Sequence, residues 1–181
     1  MKVRTDIDLI AACLNNERQA QKDLYKKYFS YGMSVTIRYA KDKEDAQWLL
    51  NQAFMKVFTH LNQFKDGLEF RPWFRRIVIN TVLSANKKFH LEDHGLEGID
   101  QSDEDDVDII SELTYEQIIQ EIHSLTPAYR TVLNLYIIDG YKHHEIAEKM
   151  GISEGTSKSN LFKAKEMLKK RLKENLGIER V

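Results

Sequence analysis

The chain has 181 residues and an apolar fraction of 42%, enough for one or two packed domains, with too few Pro and Gly for a collagen-like or low-complexity class. The single Cys, Cys13, excludes a disulfide framework and a cysteine-based zinc site and suits a reducing cytoplasm; no stretch reaches the roughly 20 apolar residues of a membrane span. A net charge of −1 hides strong segregation: residues 1–89 hold 16 Lys and Arg against 9 acids, residues 90–127 hold 12 acids and no Lys or Arg, and residues 128–181 hold 11 against 7.

The N-terminal MKVRTDIDLIAACLNNER mixes acids with apolar residues, which argues against a signal peptide. Residues 5–15 read as a short helix with Ile7, Leu9, Ile10 and Cys13 facing inward. A second helix runs from Gln19 to about Tyr39, because Leu24, Tyr28, Tyr31, Val35 and Tyr39 recur at spacings of three and four. Lys26, Lys27 and Arg38 fall off that stripe. The polar turn KDKEDAQ leads into a third helix that starts at Asp42 or Lys43. Leu50, Phe54, Val57, Phe58 and Leu61 line one of its sides, and Trp48 sits beside them, partly exposed. Phe64 to Gly67 is a loop with a glycine turn.

FRPWFRRIVINTVLSANKK, Phe70 to Lys88, predicts a helix with Pro72 in its first turn. Phe74, Ile77, Val78 and Val82 would face the core. Trp73, Arg75, Arg76, Asn80, Lys87 and Lys88 surround them with aromatic and basic groups, and such groups hold phosphates and unstacked bases. Trp73 fits plain core packing as well. Residues 90–112 are too acidic and too poor in apolar groups to pack, and are expected to be a flexible linker. His90 and His94 have the spacing of a helical metal pair, but a single pair is no metal site.

Helices resume near Leu113, with Ile118, Ile119 and Ile122 as a stripe. Thr126 is the expected N-cap of the next helix and Pro127 its first residue. Tyr129, Val132, Leu133, Leu135 and Tyr136 are read as buried, with a stop at Asp139-Gly140. Two short helices then meet at Gly151, which accepts the left-handed backbone that ends a helix. Ile146, Ala147 and Met150 form the inner stripe of the first. Ser153 caps the second, Glu154 complements its dipole, and Leu161, Ala164 and Leu168 face inward. Lys158, Asn160, Lys163 and Lys165 point outward, and Lys169 to Lys173 add a basic tail. This is a helix-turn-helix with a cationic second helix of a size to enter a DNA major groove, although an ordinary helical hairpin with a solvated face has the same pattern.

An enzyme is not expected. His143-His144-Glu145 superficially resembles a zincin helix, but the position four after His144 is Glu148 and not a second His. No glycine-rich phosphate loop occurs, and no cofactor or metal site is implied.

Over roughly residues 15–175 the chain resembles the extracytoplasmic-function class of bacterial RNA polymerase sigma factors. LYKKYF…DKEDAQWLLNQAFMKVFTHLNQF…FRPWFRRIVINTVLSANKK is similar to the family's second region, and YRTVLNLYIIDGYKHHEIAEKMGISEGTSKSNLFKAKEML to its fourth. The string GISEGTSKS is particularly like Bacteroidetes-type members. The resemblance implies an all-α protein: a region 2-like domain over 1–89, an acidic linker over 90–112 and a region 4-like helix-turn-helix domain over 113–181. It implies a cytoplasmic, non-catalytic specificity subunit that binds the polymerase core, at the beta-prime clamp and the beta flap, and directs promoter melting and transcription initiation. By the same resemblance Phe64, Lys65, Leu68, Glu69, Trp73, Arg75, Arg76, Asn80, Lys87 and Lys88 serve the −10 element as duplex and melted strand. Ser153, Thr156, Lys158, Ser159, Asn160, Lys163 and Lys165 serve the −35 element. Lysine lacks arginine's bidentate fork, so base readout there is expected to be less stringent.

The polymerase-docking stretch is Asp45, Gln47, Trp48, Asn51, Gln52 and Phe54. It departs from the family's acid-rich pattern, because Gln47, Trp48 and Gln52 stand where acids are usual. Docking is therefore expected to be weaker, to use apolar contact through Trp48, or to need an accessory recruiter. The alternative is a sigma mimic that occupies an anti-sigma factor without initiating transcription. A free-standing helix-turn-helix repressor would leave the first half of the chain unexplained.

Overall fold

The structure is a computed structural model that describes residues 4–65, 67–90 and 114–176, and of their side chains all but those of 86–90 and 175–176. Most of the expected linker, with the His90–His94 pair, and the Lys87 and Lys88 side chains lie outside these. Every regular element among the described residues is helical, in the expected order. The chain divides into two compact units, Met1–Ala85 and Asn86–Val181.

The first unit holds α1 (Asp6–Leu14), α2 (Arg18–Thr36), α3 (Lys43–His60), a 3-10 turn at Leu61–Gln63 and most of α4 (Phe70–His90). Local chemistry sets its starts. Thr5 and Asp8 cap each other at the head of α1, the Asp8 N–H donating to Thr5 Oγ1 at 3.2 Å and the Thr5 N–H to Asp8 Oδ2 at 3.0 Å. Asp42 accepts from the Asp45 N–H at 2.8 Å and opens α3. The core is aromatic. Phe74 lies against Phe54, Tyr28 and Phe70 at centroid distances of 4.9, 5.6 and 5.9 Å, and Leu24, Leu50 and Val78 fill the remaining space. Each such side chain contributes about 1.5–3 kcal/mol on burial. Gly32 of α2 lies tightly against side chains of α3 and α4. A Cβ there would overlap Leu50 Cδ1 and lie 3.1 Å from Phe74 Cζ.

The second unit holds α5 (Tyr115–His123), α6 (Pro127–Leu133), a π-helical turn (Asn134–Ile138), α7 (His143–Met150) and α8 (Glu154–Leu176). Thr126 caps α6 with Pro127 at its first position, as read from the sequence. α8 packs against α5, α6 and α7. The interior carries polar pins. Buried Arg130 donates from Nη2 to the carbonyls of His123 at 2.7 Å and Leu125 at 3.1 Å, closing the end of α5. Asn134 donates to the Arg130 carbonyl at 2.9 Å, and Arg171 pairs with Glu121 at 2.9 Å, tying α8 to α5.

Two inward assignments, Ile7 and Tyr136, are overturned, and Ile77, Tyr129 and Leu168 are half-buried. Ile7 is 70% exposed. Ile77 is half-exposed while Ile79 is buried, because the inner stripe of α4 leans one position along. Tyr136 is exposed because the π-helical turn inserts extra rotation after Leu133 and swings it off the buried face.

Candidate nucleic-acid interface

In the first unit the loop from Phe64 to Glu69 joins the 3-10 turn to α4. Gly67 adopts φ +84°, a conformation glycine reaches without strain. The Phe64 ring meets Phe70 and Trp73 edge-on at 5.7 and 5.4 Å. Trp73 is half-buried in that cluster, so it packs on one side and presents the other. Lys65, Leu68 and Glu69 are exposed.

Beside the loop lies an open cleft of about 350 Å³, with Phe64, Leu68 and Glu69 facing Asp6, Ile7 and Tyr28. This explains the exposure of Ile7, whose side chain is a wall of the cleft rather than core. Asp6 accepts from the Tyr28 hydroxyl at 2.6 Å and pairs with Lys27 at 2.7 Å. Burial, followed by the hydrogen bond to Asp6, raises the Tyr28 pKa far above the ordinary phenol range. Arg71, which the sequence reading did not single out, sits at the rim with its guanidinium 4.1 Å over the Tyr31 ring. Its signal was its place two residues past the loop and next to Pro72. Along α4, Arg76 and Asn80 are exposed one turn apart, and Arg75 is half-buried.

On α3, Gln47, Trp48, Asn51 and Gln52 are all exposed, Trp48 at 53%, with Met55 continuing the face. Asn51 accepts from the Tyr25 hydroxyl at 2.9 Å. The Asp45 carboxylate accepts from the Lys41 N–H at 3.1 Å and so shapes the turn before the helix. Phe54 is only 2% exposed, with its ring 4.6 Å from Tyr25 and 4.9 Å from Phe74. It supports this face from within and offers no surface to a partner, contrary to expectation.

In the second unit Gly151 closes α7 at φ +70°, and the N–H groups of Gly151 and Ile152 both donate to the Ala147 carbonyl. Ile146, Ala147 and Met150 are buried beneath the turn. Ser153 Oγ accepts from the Thr156 N–H at 2.9 Å and caps α8 as expected. It is also 2.9 Å from the Thr156 hydroxyl, so the two exposed hydroxyls cooperate at the tip of the helix. Lys158 is exposed, and Asn160, Lys163 and Lys165 are half-buried. Ser159 is turned inward, its hydroxyl 3.2 Å from the Thr156 carbonyl, and cannot face a partner. Phe162, one turn after Lys158 and 36% exposed, stands on the outer face instead. Its sequence signal was an aromatic four residues from a lysine, outside the Leu161–Ala164–Leu168 stripe.

Residues 115–168 match the family model for region 4 of sigma-70, a span that runs from the start of α5 to within α8. Over nearly its whole length the chain is also similar to curated proteins. The RNA polymerase sigma-H factor of Pseudomonas aeruginosa is 27% identical, with 92% of this chain and 93% of that protein covered. The extracytoplasmic-function sigma factor SigM of Bacillus subtilis is 28% identical, with 81% and 91% covered. Among solved structures, the sigma factor RpoE of Bartonella quintana, crystallised with the anti-sigma factor NepR, shares the fold at a TM-score of 0.50, with 19% identity and 88% and 99% of the two chains covered.

Proposed function

We propose that this chain is an RNA polymerase sigma factor of the extracytoplasmic-function type, a specificity subunit that joins the core enzyme and directs where transcription begins. The observation that carries this reading is a coincidence of extents. The region 4 match falls on the compact second unit with its capped, cation-bearing α8, and the likeness to sigma factors continues through the first unit over 92% of the chain. No described helix is long and apolar enough to cross a membrane, and the reading places the chain in the cytoplasm. The string GISEGTSKS makes a Bacteroidetes-type member our finer proposal.

On this reading residues 1–89 serve the −10 element and the beta-prime clamp, residues 90–112 form an acidic linker, and residues 113–181 serve the −35 element and the beta flap. Lys158, Lys163 and Lys165 hold phosphate, which makes binding salt-dependent. Ser153 and Thr156 offer hydroxyls at the helix N-terminus, Asn160 an amide, and Phe162 an apolar contact. The cleft beside Phe64 to Glu69 is roomy enough for an unstacked base, with aromatic and apolar walls to replace lost stacking and carboxylates as acceptors. Unstacking costs a few kcal/mol, which such contacts must offset. Arg71, Arg75, Arg76, Lys87, Lys88 and Asn80 follow the strand along α4, with Trp73 beside them.

The exposed Gln47, Trp48, Asn51 and Gln52 favour a clamp contact that is apolar and amide-rich, hence less salt-sensitive than an acidic one. They also give the second reading, a sigma mimic held by an anti-sigma protein, its only specific support; the basic α8 and exposed Asn80 speak against it. Retention of the full chain on core polymerase, followed by run-off transcription, tests both. Retention with defined transcripts supports the first reading, and failure to associate or to initiate counts against it.

A further inference from the structure

His143 belongs to neither surface assigned above. It is the first residue of α7, and its ring joins two other elements. It stacks on Tyr136 of the π-helical turn, with centroids 4.5 Å apart and planes 23° apart. Its Nδ1 lies 2.8 Å from Oγ of Ser157 in the first turns of α8. Ser157 has no exposed surface, and a buried hydroxyl left without a partner is costly, so the imidazole satisfies a group that water cannot reach. Ser157 is flanked by Thr156 and Lys158, two of the residues assigned to DNA.

We propose that His143 is a positioning residue for the DNA-facing helix: by joining Tyr136 to Ser157, its ring fixes the first turns of α8, and with them Ser153, Thr156 and Lys158, against α7. The inference rests on the DNA-binding reading of α8, while the joint itself does not. Only a planar ring with a polar edge does both tasks. Phenylalanine would stack and leave Ser157 unpaired, and asparagine would bond without stacking.

The neutral ring is the form the site favours. Burial lowers the His143 pKa from its ordinary value, Lys158 of α8 lowers it further, and Glu154 of α8 opposes them. The π-helical turn contributes the Tyr136 ring. On its own side stand Lys142, His144 and Glu145, the last accepting from the Lys142 N–H at 2.8 Å. The N-terminus of α7 also disfavours a cation. With the folded pKa below the unfolded one, the unfolded chain takes up the proton first. The contribution to stability is therefore whole above the unfolded value of about 6.5 and is lost as pH falls through the folded pKa.

The test uses the full chain. Protection of the amides of residues 156–158, the exchange rate relative to that of an unstructured chain at the same pH, is measured from about pH 8 to about pH 5.5, across the imidazole range. It is compared with binding of a short duplex selected by the wild-type chain from a random-sequence library. In wild type, protection is expected to fall as pH falls. In His143→Phe protection should be low throughout and insensitive to pH. Duplex affinity at about pH 7.5 should fall roughly fivefold, the size of one lost net hydrogen bond. His143→Phe combined with Ser157→Ala, which removes the stranded hydroxyl, should recover part of the protection. Wild-type protection in His143→Phe would overturn the joint, and so would survival of the pH response without the ring. Low protection with undiminished duplex affinity would overturn the positioning role. Low protection in a chain whose wild type selects no duplex would overturn the DNA-binding reading while leaving the joint standing.

Discussion

In the first unit ring lies against ring: Phe74 touches Phe54, Tyr28, Phe70 and Tyr31, and its neighbours extend the set to Tyr25, Phe64 and Trp73. In the second unit the interior is aliphatic, but Arg130, Thr131, Asn134 and Ser157 are buried within it. Rings specify an arrangement by shape, and the buried polar side chains of this unit, Thr36 and Thr81, bond only to carbonyls of their own helices. Buried polar pins specify it by direction, because a donor left unpaired costs more than the bond contributes. The second unit ties its surface helix to its neighbours through directional bonds, the His143–Ser157 contact among them.

The comparison can be broken first in the aromatic unit. Both Trp residues, Trp48 and Trp73, lie in the first unit, so tryptophan fluorescence follows that unit and far-ultraviolet dichroism follows both. Phe74→Ala should cost about 3–5 kcal/mol and shift the urea transition seen by fluorescence, leaving the second unit's dichroism transition in place. Arg130→Met should do the reverse. It strands the carbonyls that close α5, at about 1.5–3 kcal/mol, and the loss should appear in dichroism without a change in the fluorescence midpoint. Gly32→Ala sharpens the contrast on a smaller scale. Overpacking against Leu50 and Phe74 costs about 1–3 kcal/mol, and the better helix propensity of alanine returns up to about 1 kcal/mol. A net loss near 1 kcal/mol in the fluorescence transition is expected. Lys158→Ala should leave both transitions within about 0.5 kcal/mol, yet lower the salt slope of duplex binding by about one.

What could be read in advance was written in local chemistry. Asp42, Thr126-Pro127, Gly151 and Ser153 each begin or end a helix through their own side chain or backbone freedom, and each stands where it was placed. Residues at the edge of a stripe were harder. A spacing of three and four leaves the flanking positions open, so Ile7, Ile77 and Ser159 turned with the tertiary contacts rather than with the period. Tyr136 depended on a π-helical turn that shifts register and has no distinct composition. Phe54 followed the docking stretch by resemblance, although its own spacing already placed it on the core side of α3. His143 was noticed only for a metal motif that its neighbours do not complete; its role needs Tyr136 and Ser157, which are distant in sequence.

The most direct test of the account is a reconstitution of core RNA polymerase with the full chain on a library of promoter-length duplexes, with the RNA products sequenced. The account expects discrete start sites that share two upstream elements, absent without the chain and lost on reversal of charge at Lys158 and Lys163. A chain that associates with the core and leaves start sites unchanged, or that fails to associate at all, would contradict it.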